Sequence, residues 1–230
     1  MNVTLCAAFR NSVQNGHLDR YLDQVWELYL TLDARHRFCC VWGEGDSTDD
    51  TRARLTHDSR IWPATIVDCT HGGQEFGSIE SAERFRQLAH VGKQIFAAIP
   101  ADSDIVVYVE SDLVWEPATL LALIDQVDEY GAISPMVMLD RAGWPPNAFY
   151  DRWGAIGLNG RHFDHLPPYN AGYKPTEPFP VSSMGSCMAM RGDIARRLTI
   201  DERLFQGISA QIWMMGERVW IDPRLTILHK

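Results

Sequence analysis

The sequence lacks the features that mark several classes of protein. Its five cysteines include no C-x-x-C pair, so neither a zinc ribbon nor a disulfide framework is indicated. No segment stays apolar for about 18 residues, the length needed to span a bilayer. The first residues also lack the basic start and long apolar run of a signal peptide. We therefore expect a cytoplasmic protein without a membrane span.

Positive charge is also scarce. The chain carries 21 Lys and Arg residues against 30 Asp and Glu, a formal net charge of -9. This balance argues against a protein that holds nucleic acid mainly by neutralising phosphates. Hydrophobic residues make up 46% of the 230 residues, enough for a substantial core. At this length one α/β sheet with flanking helices suffices, so we expect a single domain over residues 1–230.

Strand-like and helix-like segments alternate in the first half. The predicted strands are apolar runs at residues 3–9, 37–42, 64–68, 104–109 and 132–139. Amphipathic helices are predicted at residues 18–32, from about 51, at 81–99 and at 117–131. This alternation predicts a mainly parallel central sheet with helices on both faces, and it places ligands at the carboxyl ends of the strands.

The second half has a different pattern. Residues 140–183 are rich in Pro, Gly, Asn, Tyr and Trp and show little periodicity. Such a long irregular stretch is either functional or disordered, and its aromatic content favours a binding surface. A helix at residues 204–215 and two short strands at 218–221 and 225–228 are predicted after it.

An acidic tripeptide, Glu110-Ser111-Asp112, follows the apolar strand at residues 104–109. Two carboxylates at the end of a buried strand must face solvent or a cation. Hard divalent ions such as Mg²⁺ or Mn²⁺ take oxygen ligands, and substrate phosphates often supply several of them. Asp112 suits that role, and His229 after the last strand is able to complete the site through a neutral imidazole. The alternative is that Glu110 and Asp112 cap the following helix.

Three segments resemble GT-A glycosyltransferases of the family 2 type. Residues 41–51 resemble the Ser-Thr-Asp loop after the second strand, and residues 106–112 resemble the strand that ends in the Asp-x-Asp signature. Residues 216–229 are similar to the closing segment, where a histidine often joins the metal shell. The resemblance implies a Rossmann-like GT-A fold, with a nucleotide-binding half at residues 1–115 and an acceptor-binding half at residues 116–230.

The resemblance also implies roles for individual residues. Asp112 binds Mn²⁺ or Mg²⁺ and takes part in catalysis, and His229 contacts the metal or the diphosphate. Nucleotide contacts are implied for Arg10, Glu44, Asp46 and Glu110, and phosphate neutralisation for Arg84 and Lys93. An alternative for the loop that holds Glu44 and Asp46 is that it caps the next helix through Ser47 or Asp49.

Residues 147–153 resemble the Phe-Tyr-Asp-x-Trp segment of fungal α-mannosyltransferases and capsule-associated mannosyltransferases. This implies that Tyr150, Asp151 and Trp153 bind a sugar or acceptor, because aromatic faces stack on sugar rings and a carboxylate accepts hydrogen bonds from hydroxyls. In the alternative interpretation, Tyr150 and Trp153 fill a satellite core beneath a long loop.

One feature departs from the family pattern. Many inverting members carry a Glu-Asp pair before the last helix as general base, whereas residues 204–207 here are Leu-Phe-Gln-Gly. Asp201 and Glu202 lie nearby but out of register. Either these two residues act catalytically from a shifted loop, or the enzyme retains the anomeric configuration and needs no such base.

We therefore predict a metal-dependent hexosyltransferase that moves a sugar from a UDP- or GDP-hexose to a hydroxyl acceptor: a glycan, lipid, protein or modified base. A sugar-phosphate nucleotidyltransferase is a rival, although residues 10–16 poorly match its Gly-rich basic loop. A non-catalytic sugar- or nucleotide-binding subunit is another, and the presence of Glu110, Asp112 and His229 argues against it.

Overall fold

A computed structural model describes residues 1–32, 36–58, 62–77 and 79–230. The elements of the first half are β1 (Asn2–Phe9), α1 (Leu18–Thr31), β2 (Arg37–Glu44), α2 (Thr51–Asp58), β3 (Ala64–Asp68), α3 (Ala82–Ala97), β4 (Ile105–Val109) and β5 (Leu113–Val114). Those of the second half are α4 (Pro117–Tyr130), β6 (Ala132–Leu139), β7 (Phe179–Val181), β8 (Cys187–Arg191), α5 (Gly192–Ala195), α6 (Phe205–Met214) and β9 (Val219–His229).

The strands form one central sheet in the order β3-β2-β1-β4-β8-β6-β9-β5, with β7 paired to β9. From β3 to β4 all neighbours are parallel, as the alternation of strands and helices predicts. Residues 3–7 of β1 are buried in succession, so both faces of the sheet are covered there. The ends of β1, β2 and β4 therefore lie at one edge, where the sequence places its candidate ligands.

The other half of the sheet departs from the parallel pattern. Strand β8 runs antiparallel between β4 and β6, and β5 and β7 run antiparallel to β9. The final segment is one strand, Val219–His229, in place of the two predicted ones. Pro135 of β6 pairs with Asp222 and Met136 with Thr226, so the pairing is irregular between residues 222 and 226 of β9. This irregularity accounts for the gap between the two predicted strands.

Helix α3 packs on β1, β2 and β3, while α4 packs on β4, β6, β8 and β9 and also contacts α1. Edge-to-face aromatic contacts join these layers: the Phe9 ring lies 5.1 Å from Tyr21 and 6.0 Å from Trp42, measured between centroids. Within the described residues, no helix has both the length and the apolar character required to cross a bilayer.

The irregular segment after β6 is packed around its own aromatic cluster. Phe149 and Phe163 are fully buried with ring centroids 5.4 Å apart, and Phe163 stacks on Phe179. Trp153, in contrast, is 48% exposed. A satellite core therefore exists, made of phenylalanines and the buried Tyr169. Tyr150 packs partly buried against the core, whereas Trp153 lies at the surface.

Candidate functional site

Asp112 and His229 meet at the edge where β4 ends. The His229 Nε2 atom lies 3.2 Å from Asp112 Oδ2. The backbone fixes this approach, because Leu113 pairs with His229 in the short ladder between β5 and β9. Two residues that are 117 positions apart in the sequence (229 − 112) are thus brought together by one antiparallel strand pair.

The charge state of Asp112 reflects these neighbours. Burial opposes its ionisation, but the hydrogen bond and charge of His229 and the nearby His17 hold the pKa of Asp112 below its ordinary value. Within the described residues, Asp112 Oδ1 and His229 Nδ1 are buried without a hydrogen-bond partner. Asp112 is therefore an anionic group with an oxygen left over for a ligand.

Helix α1 holds the turn that carries Asp112. The Arg20 guanidinium donates to the Asp112 carbonyl at 3.0 Å, and the Gln24 amide donates to the Leu113 carbonyl at 3.5 Å. His17, at the start of the same helix, is partly buried, and burial lowers its pKa. The amphipathic pattern of α1 places Arg20 on the solvent side; the structure shows instead that its long side chain reaches the acidic turn.

Glu110 and Asp151 are two further carboxyl groups in the neighbourhood of Asp112. Burial, followed by the charges of Asp112 and Asp151, raises the pKa of Glu110 to about 8. Burial also raises the pKa of Asp151 to about 7, against the opposing hydrogen bond from Gly154 N–H at 3.1 Å. Ser186 lowers the pKa of both acids.

The aromatic residues of the irregular segment border this acidic group. Tyr150 stacks on His229 with ring centroids 3.8 Å apart. The Arg84 guanidinium lies 5.7 Å from the centre of the Trp153 ring. The charge of Arg84 also acts on Glu110 and on Tyr150.

The loop residues predicted to contact the nucleotide are held by internal hydrogen bonds. Arg10 donates to the carbonyls of Gly73 and Gln74, at 2.8 and 3.3 Å. Asp46 accepts from the backbone N–H groups of His71 and Gly72. These contacts attach the loop after β3 to the loops after β1 and β2.

Glu44, at the end of β2, is 1% exposed and forms a 3.0 Å ion pair with Arg52. The loop that follows also meets the alternative interpretation in part, because Asp49 accepts the Thr51 N–H at the start of α2. Ser47 does not act as that cap; its hydroxyl accepts the N–H of Asn11 at 3.0 Å.

The remaining candidates are Asp201 and Glu202, just before α6, and Lys93 on α3. Asp201 pairs with Arg203 at 2.6 Å and also accepts the Arg203 N–H. Lys93, exposed on α3, is near enough for its charge to lower the pKa of Asp201, after the larger effects of Arg203. Glu202 is exposed. The carboxyl group near Glu110 is therefore that of Asp151 and not that of Asp201, which pairs with Arg203.

The sequence did not predict three residues of the site: His17, Arg20 and Ser186. His17 and Arg20 are three positions apart after the loop that follows β1, a pattern shared with the polar face of any helix. The sequence signal for Ser186 is weak: it ends the segment Ser182-Ser183-Met184-Gly185-Ser186, which is rich in Ser and Gly. In the structure, φ of Ser186 is +62°.

The donor set fits a divalent ion of the oxygen- and nitrogen-binding kind. Asp112 offers an unpartnered carboxylate oxygen, which suits Mn²⁺ or Mg²⁺, and His229 offers an imidazole, a ligand of transition ions. The described residues contain no group of three or more His, Cys, Asp or Glu arranged to hold a metal. Any ion at this pair therefore needs further ligands from a substrate or from water.

Comparison with known proteins gives similarity at the level of the fold. No family model matches the sequence, and a search of curated proteins gives no match. Among solved structures, S. aureus TarS matches with a TM-score of 0.61 at 12% identity, over 100% of this chain and 60% of that one. Mannosyltransferase PcManGT from Pyrobaculum calidifontis matches with a TM-score of 0.60 at 18% identity, over 98% and 56%.

GalNAc-T7 matches with a TM-score of 0.62 at 13% identity, over 100% of this chain and 44% of that one. The chain thus spans about 60% or less of the length of these three proteins. The central mixed sheet with its helices is that of GT-A glycosyltransferases, which confirms the predicted fold.

Proposed function

We propose that this chain is a metal-dependent hexosyltransferase that transfers a sugar from a nucleotide-sugar donor to a hydroxyl acceptor. The observation that carries the proposal is the Asp112–His229 pair, 3.2 Å apart at the sheet edge where β4 ends. TarS has been solved with UDP and with UDP-GlcNAc, PcManGT with GDP-Man and Mn²⁺, and GalNAc-T7 with UDP, GalNAc and Mn²⁺. Nucleotides and Mn²⁺ are therefore known ligands of this fold.

Asp112 and His229 are the residues proposed to hold the ion, Mn²⁺ or Mg²⁺. When bound, such an ion neutralises the diphosphate of the donor and stabilises the leaving group. Arg20 keeps the Asp112 turn in place through the Asp112 carbonyl, and His17 adds a polar side chain on the same flank. These contacts fix the carboxylate before the donor arrives, so little has to reorganise on binding.

The two halves of the chain are proposed to divide the substrates. Residues 1–115 supply the donor side, where the loops after β1, β2 and β3 are joined by the contacts of Arg10 and Asp46. Residues 116–230 supply the acceptor side through Tyr150, Asp151 and Trp153. The exposed Trp153 face is suited to a sugar ring, and the buried Asp151 carboxylate holds the loop through Gly154 N–H at 3.1 Å.

The proposal includes two alternatives for the catalytic base, one for an inverting and one for a retaining reaction. Asp201 and Glu202 serve an inverting reaction if the start of α6 rearranges on binding, since Asp201 now pairs with Arg203. A retaining reaction needs neither residue. Loss of turnover in Asp201→Asn, with donor binding unchanged, favours the first form.

The proposal is tested by measuring thermal stability with UDP-, GDP-, CDP- and dTDP-sugars, each with and without Mn²⁺. A donor at about 100 times its Kd stabilises the folded state by about 2.7 kcal/mol. We expect a shift that needs both one nucleotide and the metal, and that disappears in Asp112→Asn and on addition of EDTA.

Asp128→Asn is the matched control, because Asp128 is an exposed acid on α4. Loss of the shift in this variant too, or absence of a shift in the wild-type protein, contradicts the proposal. Release of nucleoside diphosphate on turnover marks glycosyl transfer, whereas release of pyrophosphate marks the rival nucleotidyl transfer.

A further inference from the structure

Arg84 and Trp153 form a contact at the rim of the acidic group. Arg84 lies in the first turn of α3 and Trp153 in the irregular segment, yet the guanidinium carbon is 5.7 Å from the indole ring. A cation at this distance from an indole face is attracted by the ring quadrupole. The pair therefore joins the two halves of the chain at the site.

Trp153 is held from both sides although its ring is open to solvent. Gln206 on α6 donates its amide to the Trp153 carbonyl at 2.9 Å, and Gly154 N–H binds Asp151 at 3.1 Å. The side chain nevertheless remains 48% exposed. A large apolar ring fixed at its backbone and left open offers a preformed surface for a ligand with an apolar face.

Arg84 retains most of its hydrogen-bonding capacity. Stacking uses the face of a guanidinium and leaves its N–H groups free along the edges, in the fork that matches carboxylate and phosphate. One of them makes a long 3.4 Å hydrogen bond to the Ile79 carbonyl. In the described part of the chain no carboxylate lies within ion-pair distance of Arg84, whereas Arg86 on the same helix pairs with Glu83.

Arg84 borders the same acidic group as the Asp112–His229 pair. Its charge acts on Glu110 and on Tyr150, whose ring lies 3.8 Å from that of His229 between centroids. Its guanidinium contacts Trp153, a residue of the segment proposed to bind the acceptor. The contact with Trp153 favours an acceptor group as the partner of Arg84, and the Mn²⁺-dependent thermal shift of Arg84→Gln tests the donor alternative.

We propose that Arg84 and Trp153 form an acceptor subsite for a sugar that carries an anionic group. The carboxylate or phosphate of this sugar binds the Arg84 fork, and its ring lies on the exposed part of the Trp153 indole. The inference rests on the proposed function and names its acceptor class. It differs from the role of Arg84 at the donor phosphate that the family resemblance implies.

The experiment compares matched sugars as probes: glucuronate against glucose, and mannose 6-phosphate against mannose. Binding to the wild-type protein is measured by ligand-observed NMR titration without donor. We expect each anionic sugar to bind about tenfold more tightly than its neutral parent, a difference of about 1.4 kcal/mol. Arg84→Gln should abolish this preference, and Arg86→Gln, which makes the same charge change two residues away, should keep it.

Two further measurements distinguish a sugar subsite from simple phosphate binding and from a role of Arg84 in donor binding. Trp153→Ala should weaken mannose 6-phosphate and leave inorganic phosphate unchanged. Equal binding of anionic and neutral sugars overturns the proposal, as does inorganic phosphate binding as tightly as mannose 6-phosphate. The donor arm uses the Mn²⁺-dependent thermal shift: its loss in Arg84→Gln assigns Arg84 to the donor and overturns the subsite. If the wild-type protein shows no such thermal shift, only the proposed function is contradicted. The subsite is still tested, because sugar binding is measured without donor.

Discussion

Tyr150 lies face to face with His229, with ring centroids 3.8 Å apart and an angle of 11° between the planes. The stack sets the plane of the imidazole, so that Nε2 faces Asp112 Oδ2 at 3.2 Å. Tyr150 belongs to the irregular segment and His229 ends β9. A loop proposed to bind the acceptor therefore also orients a residue proposed to bind the metal.

The first prediction concerns this stack. Tyr150→Ala removes the ring that orients His229, so we expect the apparent affinity for Mn²⁺ to fall about tenfold, or about 1.4 kcal/mol. Tyr150→Phe keeps the ring and should stay close to wild type. The affinity is measured by titrating Mn²⁺ in the donor-dependent thermal shift.

Trp144→Ala is the control for this prediction, because Trp144 packs against His165 in the same segment, with centroids 4.4 Å apart and ring planes at 55°. It should leave the Mn²⁺ affinity unchanged. An equal loss in Tyr150→Phe and Tyr150→Ala would show that the hydroxyl matters and the stack does not.

The second prediction concerns Arg20, whose guanidinium binds the Asp112 carbonyl at 3.0 Å. Arg20→Gln should lower the free energy of unfolding by about 1.5–3 kcal/mol, as expected for loss of a charged hydrogen bond. It should also reduce donor binding, because the Asp112 turn loses the shorter of its two hydrogen bonds from α1. Urea unfolding gives the first quantity and the donor-induced thermal shift gives the second.

Arg54→Gln is the comparison for Arg20→Gln. Arg54 forms a 2.6 Å pair with Asp19, and both side chains are exposed, so its removal should cost about 0.5 kcal/mol or less. If the two variants behave alike in both measurements, Arg20 has no special role at the turn.

Much of the fold could be predicted because the buried strands have distinctive sequences. The apolar run before Glu110 became β4, and the helical stripe at residues 81–99 became α3, Ala82–Ala97. The antiparallel orientation of β8 could not be predicted, because a short apolar strand has the same residue pattern in parallel and in antiparallel pairing. Its place between β4 and β6 depends on how the long segment before it folds, and that segment lacks a period.

The candidate site divides in the same way. Asp112 and His229 were predicted from residues at strand ends, and the structure brings them together. Arg20 and Ser186 were not predicted, since contacts between distant segments leave no local signal. Asp151 was predicted as a sugar ligand, and the structure shows it buried near Glu110. This burial also depends on contacts between distant segments, so the sequence could not predict it.

The third prediction tests how closely the loops after β2 and β3 approach. A Cβ atom added at Gly45 would lie 2.4 Å from the backbone of Cys69 and Thr70. Gly45→Ala should therefore lower the free energy of unfolding by about 3 kcal/mol, since the obstruction is backbone and cannot rotate away. Gly172→Ala is the control, because its nearest atom is 3.9 Å away. Similar urea midpoints for the two variants would contradict the close approach.

The last prediction follows from the buried carboxyl of Asp151, whose pKa is raised from 3.8 to about 7 by burial. Between these values the folded protein keeps a proton on Asp151 that the unfolded chain has released. Stability therefore falls as the pH rises from about 4 to about 7 and does not change further from this source above that range.

Asp151→Asn removes the titration, so the variant should gain stability relative to wild type across this interval, by about 2–4 kcal/mol. Urea unfolding at several pH values gives the difference. Asp164→Asn, at an exposed acid of the same segment, should show no such trend. A wild-type protein that gains stability relative to Asp151→Asn as the pH rises would mean that Asp151 is ionised in the fold and paired with a cation.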